Sequence, residues 1–161
     1  MWRPAATLTQ HRLPNLEKTR QIQTSDAQRM SLMWPPEPIG GVIDLPSVLI
    51  VEDEAIILMD IAEHLEDEGF KVHEASDADR ALVLLTLHPE IRLLFTDVDL
   101  PGSMNGLAMA SAVRDRWPPI KIVVTSGARI VELADMPDGS VFFSKPYQHA
   151  AVVAALREMI T

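Results

Sequence analysis

Val48-Leu49-Ile50-Val51-Glu52-Asp53-Glu54 is the stretch on which the reading of the fold turns. Four consecutive apolar residues, two of them β-branched valines, read as a short strand buried on both faces, the pattern of a parallel sheet covered on each side. Three acidic residues then follow without a break. Downstream, Ile57, Ile61 and Leu65 recur at helical spacing, and Gly69 stands where a helix C-terminus favours a residue with positive φ. Lys71-Val72-His73-Glu74 reads as a second strand. Asp77 is placed to cap a helix carrying Ala81, Leu82 and Leu85, which Pro89 stops.

The alternation continues to the last residues. Ile91 to Thr96 reads as a third strand and Asn105 to Trp117 as a third helix, closed by Pro118-Pro119. Ile120 to Thr125 is a fourth strand, Val141-Phe142-Phe143 a fifth, and Gln148 to Ile160 a final helix with Val152, Val153, Leu156 and Ile160 near one face. Strands alternating with helices predict right-handed crossovers and a doubly wound parallel α/β sheet. Residues 128–140 are the weak link: with Pro137 and Gly139 inside the segment, a fourth helix is expected to be shortened to about Arg129–Ala134, or to be partly disordered.

Upstream of Ser47 the composition changes. The first 46 residues hold half of the chain's twelve prolines and no sustained helical or strand pattern, so they are expected to be a disordered extension; Met30 or Met33 offers an alternative start. The net charge of −9 is unevenly spread: residues 1–46 carry five basic and four acidic side chains, residues 47–161 nine and nineteen. An acidic domain repels phosphate backbones, so nucleic acid is not an expected partner. The absence of cysteine excludes disulfides, thiolate metal sites and thiol catalysis. No apolar run reaches the roughly 18 residues of a membrane span, and the start lacks the apolar centre of a signal peptide, so a cytoplasmic location without membrane insertion is expected.

In a doubly wound sheet, chemistry collects at the carboxyl ends of strands near the topological switch point. The first strand there is followed by Glu52-Asp53-Glu54, and the third by Asp97-Val98-Asp99. If these strands are neighbours, Asp53 and Asp97 come within reach of one cation, and an oxygen-only donor set suits a hard ion such as Mg²⁺. Each acid taken alone has a plainer explanation, since Asp53 or Glu54 could simply cap the following helix. Thr125-Ser126-Gly127 adds hydroxyls at the end of the fourth strand, and Lys145-Pro146 follows the fifth. A lysine over a carboxylate cluster can neutralise charge and grip a phosphoryl oxygen. His64, His88 and the methionines read as core or helix-surface residues; neither histidine has a second one at helical spacing.

Taken together, VLIVEDE at 48–54, LLFTDVDLPG at 93–102, KIVVTSG at 121–127 and FFSKPY at 142–147 resemble the response-regulator receiver family over residues 47–161. The resemblance implies a flavodoxin-like five-stranded sheet of order 2-1-3-4-5. It implies Asp97 as phospho-acceptor, with a sensor histidine kinase or phosphotransfer protein as donor, and switching of a surface that binds a downstream protein. It implies Glu52, Asp53, Asp97 and the main-chain carbonyl of Asp99 as the Mg²⁺ set, Glu52 acting through water. Lys145 and Thr125 would contact the phosphoryl group, Phe142 would be the switch aromatic, and the Lys145–Pro146 bond would be cis. The expected protein is a single receiver without an output domain, and a homodimer is left open. Residues 101–106 form a loop one residue longer than is usual in the family. Two readings compete: a haloacid-dehalogenase-like phosphatase using Asp97 and Asp99, and a pseudo-receiver that binds without being phosphorylated.

Overall fold

A computed structural model describes residues 44–127 and 130–161. The chain divides into two units, Met1–Ile43 and Asp44–Thr161; the extension expected at 1–46 lies, up to residue 43, outside the described residues. In the second unit the elements run β1 (Ser47–Val51), α1 (Ala55–Asp67), β2 (Lys71–Ala75), α2 (Ala78–Leu87), β3 (Ile91–Asp97), α3 (Gly106–Arg116), β4 (Lys121–Ser126), β5 (Val141–Ser144) and α4 (His149–Ile160). All strand pairs are parallel and the order is β2-β1-β3-β4-β5. This is the doubly wound, flavodoxin-like sheet that the alternation of elements predicts.

The apolar strands owe their continuity to cover on both sides. Leu49 and Val51 of β1 pack with Leu94, Ile122 and Val124 beneath α2 and α3, represented by Ala81, Leu85, Met109 and Val113. Val48 and Ile50 face the other way, with Leu93, Phe95 and Val123, beneath Ile61 and Leu65 of α1 and Val152 and Leu156 of α4. Every residue of β1 is buried, so neither parity of the strand tolerates a polar side chain larger than that of Ser47.

Local chemistry sets the ends of the helices. Gly69 takes φ +89°, its N–H donates to Glu66 O at 2.9 Å and that of Phe70 to Leu65 O at 3.0 Å, which closes α1 and turns the chain into β2. Asp77 caps α2 by accepting from Arg80 N–H at 2.8 Å, and Asn105 caps α3 by accepting from Ala108 N–H at 2.9 Å.

Arg129, where the expected short helix would begin, lies outside the described residues; over 130–134 the expectation is corrected. Residues 130–132 have no regular structure, and Leu133–Asp135 make one 3₁₀ turn. Among the described residues the sheet therefore has four α-helices. The cause lies in the segment itself. Pro137 disfavours the helical region for Met136, which sits extended at φ −92°, ψ 144°. Ile130 and Leu133 point into solvent at 91% and 84% exposure, while Val131 and Met136, which do pack on the core, stand five apart and so do not share a helical face.

Candidate functional site

The order of strands decides which residues meet. β1 and β3 are adjacent, with Val51 opposite Thr96, so the next residues of each strand, Glu52 and Asp97, leave the sheet side by side. Both are buried, Glu52 at 1% and Asp97 at 4% exposure, in a molecule whose other acids are mostly on the surface. Thr125 lies opposite Asp97 in the β3–β4 ladder. The ladder runs on past the strand ends, Val98 N–H donating to Thr125 O and Lys145 N–H to Ser126 O, each at 2.9 Å.

Lys145 joins the two carboxylates. Its Nζ donates to Glu52 Oε2 at 2.6 Å and to Asp97 Oδ2 at 3.1 Å. Burial disfavours the charge on this ammonium, but its hydrogen bonds to Glu52 and Asp97 outweigh that and raise its pKa. Burial likewise pushes the Glu52 carboxyl up, against the pull of Lys145. The Lys145–Pro146 peptide is cis.

The helix-capping alternative for the acids after β1 is not adopted. Glu54 occupies the N-cap of α1, yet its side chain makes no capping bond; its N–H instead donates to Glu52 Oε1 at 3.1 Å. Asp53 is exposed and brings a third carboxylate, and donor oxygens of Glu52, Asp53 and Asp97 all lie within 4.8 Å of one another. The set fits a hard divalent cation: the donors are all oxygen, and three carboxylates against one ammonium leave negative charge uncompensated.

Asp99 is arranged differently from these three. It is exposed, its carboxylate lies outside the trio, and its N–H donates to Asp97 Oδ1 at 3.3 Å. The Thr125 hydroxyl is fully buried and donates to Thr96 O at 3.5 Å rather than to a carboxylate. Phe142 pairs with Val124 and packs, half-buried, on the α2–α3 side.

Two neighbours of the site, Gly106 and Tyr147, are assigned no role from the sequence. Gly106, the first residue of α3, donates its N–H to Val98 O at 2.9 Å; a Cβ there would overlap Asp97 O and stand 2.7 Å from its carbonyl carbon. The absence of a side chain thus allows α3 to start against the main chain of Asp97, and an asparagine cap directly before a glycine was the available clue. Tyr147 turns inward to meet Phe95 edge-on at 5.5 Å, and burial pushes its phenol up to about 12. It shares a cleft of about 390 Å³ with Ile57, Asp60, Lys145, Pro146 and His149.

A five-stranded parallel sheet whose switch-point edge carries a buried acid, a second acid pair and a bridging lysine defines a receiver. The response regulator receiver domain model matches residues 48–157, and the chain belongs to that family. The transcriptional regulatory protein PdtaR of Mycobacterium tuberculosis is 36% identical over 113 residues, 68% of this chain and 54% of its own length. The sensor kinase CckA of Brucella abortus is 30% identical over 118 residues, 71% of this chain and 12% of its own. The crystal structure of a response regulator receiver protein from Sinorhizobium medicae superposes with TM-score 0.68 at 28% identity, covering 72% of this chain and 94% of that one. The chain spans a quarter to about half the length of the first curated relatives it matches. None of these findings favours the phosphatase reading. Among the described residues, no helix is long and apolar enough to cross a membrane.

Proposed function

We propose that the chain is a phosphoryl-accepting switch, with Asp97 taking a phosphoryl group from a phosphohistidine of a sensor kinase or phosphotransfer protein. A carboxylate oxygen of Asp97 attacks phosphorus, the phosphorus–nitrogen bond of the donor breaks, and the imidazole leaves with its electron pair and takes up a proton. The product is an acyl phosphate on a side chain that the fold already holds in place.

The observation that carries this reading is Lys145 shared between Glu52 and Asp97. An ammonium bound to a buried acceptor carboxylate is preorganised for the charge that arrives with the phosphoryl oxygens, and its second partner, Glu52, keeps it there beforehand. Glu52, Asp53, Asp97 and the carbonyl of Asp99 are the residues that would hold Mg²⁺, Glu52 through water; the ion supplies further neutralisation of the transferring group. Thr125 stands one strand away, its hydroxyl on a long bond to Thr96 O that it can exchange for a phosphoryl oxygen. By the family resemblance, Phe142, which sits beside Val124 and one residue before Thr125's own ladder partner Phe143, is the residue that follows such a rotation and couples the site to a protein-binding face. The cleft beside Lys145 and Tyr147, on the α1–α4 side, offers a donor protein a seat next to the lysine.

Incubation with radiolabelled phosphoramidate and Mg²⁺ should label the protein, and Asp97→Asn should abolish the label while leaving the circular dichroism spectrum unchanged. Persistent labelling of the variant would remove Asp97 from the acceptor role. A wild-type chain that takes no label, and whose amide resonances at Thr125 and Phe142 do not move with Mg²⁺ and beryllofluoride, would instead favour the pseudo-receiver.

A further inference from the structure

A second constellation of donors lies at the other edge of the sheet. His73 is the middle residue of the edge strand β2, His88 is the residue that terminates α2, and Glu90 stands in the turn before β3. Their parallel strand–helix–strand arrangement closes this turn back onto β2, so residues 15 and 17 positions beyond His73 return to it. The two imidazole centroids are 4.4 Å apart. Glu90 Oε1 is 3.2 Å from His88 Nδ1 and 3.6 Å from His73 Nε2, and one donor atom from each residue falls within 4.8 Å of the others.

These separations have a chemical meaning. With metal–ligand bonds of about 2.0–2.1 Å and tetrahedral angles, two ligands of one zinc ion stand about 3.3 Å apart. The two separations from Glu90 Oε1, 3.2 and 3.6 Å, bracket that figure. We propose that His73, His88 and Glu90 form a binding site for a first-row transition cation, Zn²⁺ being the one that two imidazoles and a carboxylate suit best, with a fourth position open to water.

The plainer arrangement is the one in which Lys71 Nζ holds Glu90 Oε1 at 2.9 Å. Lys71 is half-exposed, so it can turn into water when a cation takes that oxygen, and no charge is left stranded in the core. The donor set also separates this site from the acidic one. Glu52, Asp53 and Asp97 offer oxygen alone and suit Mg²⁺, whereas imidazole nitrogen favours zinc, cobalt or nickel over magnesium. Bound metal would tie β2, the end of α2 and the entry to β3 together, at the opposite end of β3 from Asp97. Two of its three ligands follow a helix and precede a strand, where backbone freedom is small.

The full chain is titrated with Zn²⁺ by calorimetry in the presence of saturating Mg²⁺, with Co²⁺ absorption as a second probe. One equivalent is expected to bind, with a cobalt spectrum of four-coordinate intensity and with shifts confined to the His73 and His88 ring resonances. His73→Gln and His88→Gln should each weaken binding by at least about tenfold, while His149→Gln, in the separate His149–Asp60 pair at 2.8 Å, should leave it unchanged. Should a histidine variant lose the fold, Glu90→Gln on the surface tests the same site and must also weaken binding. Zinc that binds equally well to all three ligand variants, or no heat at tens-of-micromolar concentrations, overturns the proposal.

Discussion

Lys145 keeps two buried carboxylates from facing each other unshielded, and its removal gives the most direct measure of that load. Lys145→Met leaves Glu52 and Asp97 without their shared partner, and stranding charge in this way costs on the order of 3 kcal/mol. Urea unfolding in EDTA should show that loss, and Mg²⁺ should restore part of it, because a cation can take over the compensation. Equal stability of variant and wild type in EDTA would mean that the carboxylates share protons instead. Gly106 gives a steric counterpart. Gly106→Ala forces a Cβ into the main chain of Asp97 and should cost about 3 kcal/mol, at the upper end of overpacking effects. Gly127→Ala meets Lys145 side-chain atoms at an ordinary 3.7 Å and should change stability little by the same measurement. Tyr147, the one tyrosine of the chain, adds a pH test. Burial raises its phenol to about 12, against about 10 for an exposed one. The fold therefore favours the neutral ring, and this contribution to stability is complete below about pH 10 and lost as pH rises through about 12. Phenolate absorbance should rise near pH 12 in the native protein and near 10 in urea; a native midpoint near 10 would place the ring in water. At this scale, the gathering of Glu52, Asp53, Asp97 and Lys145 on one edge was legible because acids and a lysine directly follow apolar strands. The need for glycine at 106 was not, since it arises from the approach of two main chains. His88 reads as a core or helix-surface residue because the expected pattern is a second histidine at helical spacing, whereas its neighbour His73 comes from another element.

Among the elements, those with a clear start, a periodic face and a stop were legible to within a residue or so. α2 is the best case: Asp77 at its start, Ala81 and Leu85 beneath it, Pro89 beyond it. Asp77→Ala removes the bond to Arg80 N–H and should cost about 1 kcal/mol in urea unfolding, with loss of amide protection confined to the first turn of α2. A fall several times larger would show that Asp77 does more than cap. The segment after β4 failed as a helix for reasons that propensity alone conceals. Its apolar residues Ile130 and Leu133 sit three apart, which matches a helical face, but both are exposed, and the residues that pack on the core are Val131 and Met136, five apart. Gly139 at φ +75° and the Ser140 N–H to Pro137 O bond of 3.1 Å bend the chain straight into β5. The longer loop after β3 is anchored where it could have been loose: Ser103 Oγ donates to Asp79 Oδ1 at 2.9 Å, joining it to the start of α2.

At the scale of the whole molecule, both faces of the sheet find cover within residues 48–159, two helices on each side. The acidic edge depends on that sheet alone, since strand order sets Glu52 beside Asp97 and the β5 end brings in Lys145. A polypeptide of residues 44–161 should therefore melt within about 4 °C of the full chain, the shift expected for about 1 kcal/mol in a domain of this size, and should take label from phosphoramidate to the same extent. The cut belongs before Asp44 and not at Ser47, because Pro46 O accepts the Lys71 N–H at 3.0 Å and so begins the β1–β2 ladder. Starting at Ser47 removes that acceptor from the edge strand and should lower the melting temperature further. A loss of about 10 °C or more on removing residues 1–43 would show instead that the proline-rich segment packs on the domain. Unequal labelling at equal stability would show that it acts on the site without contributing to the fold.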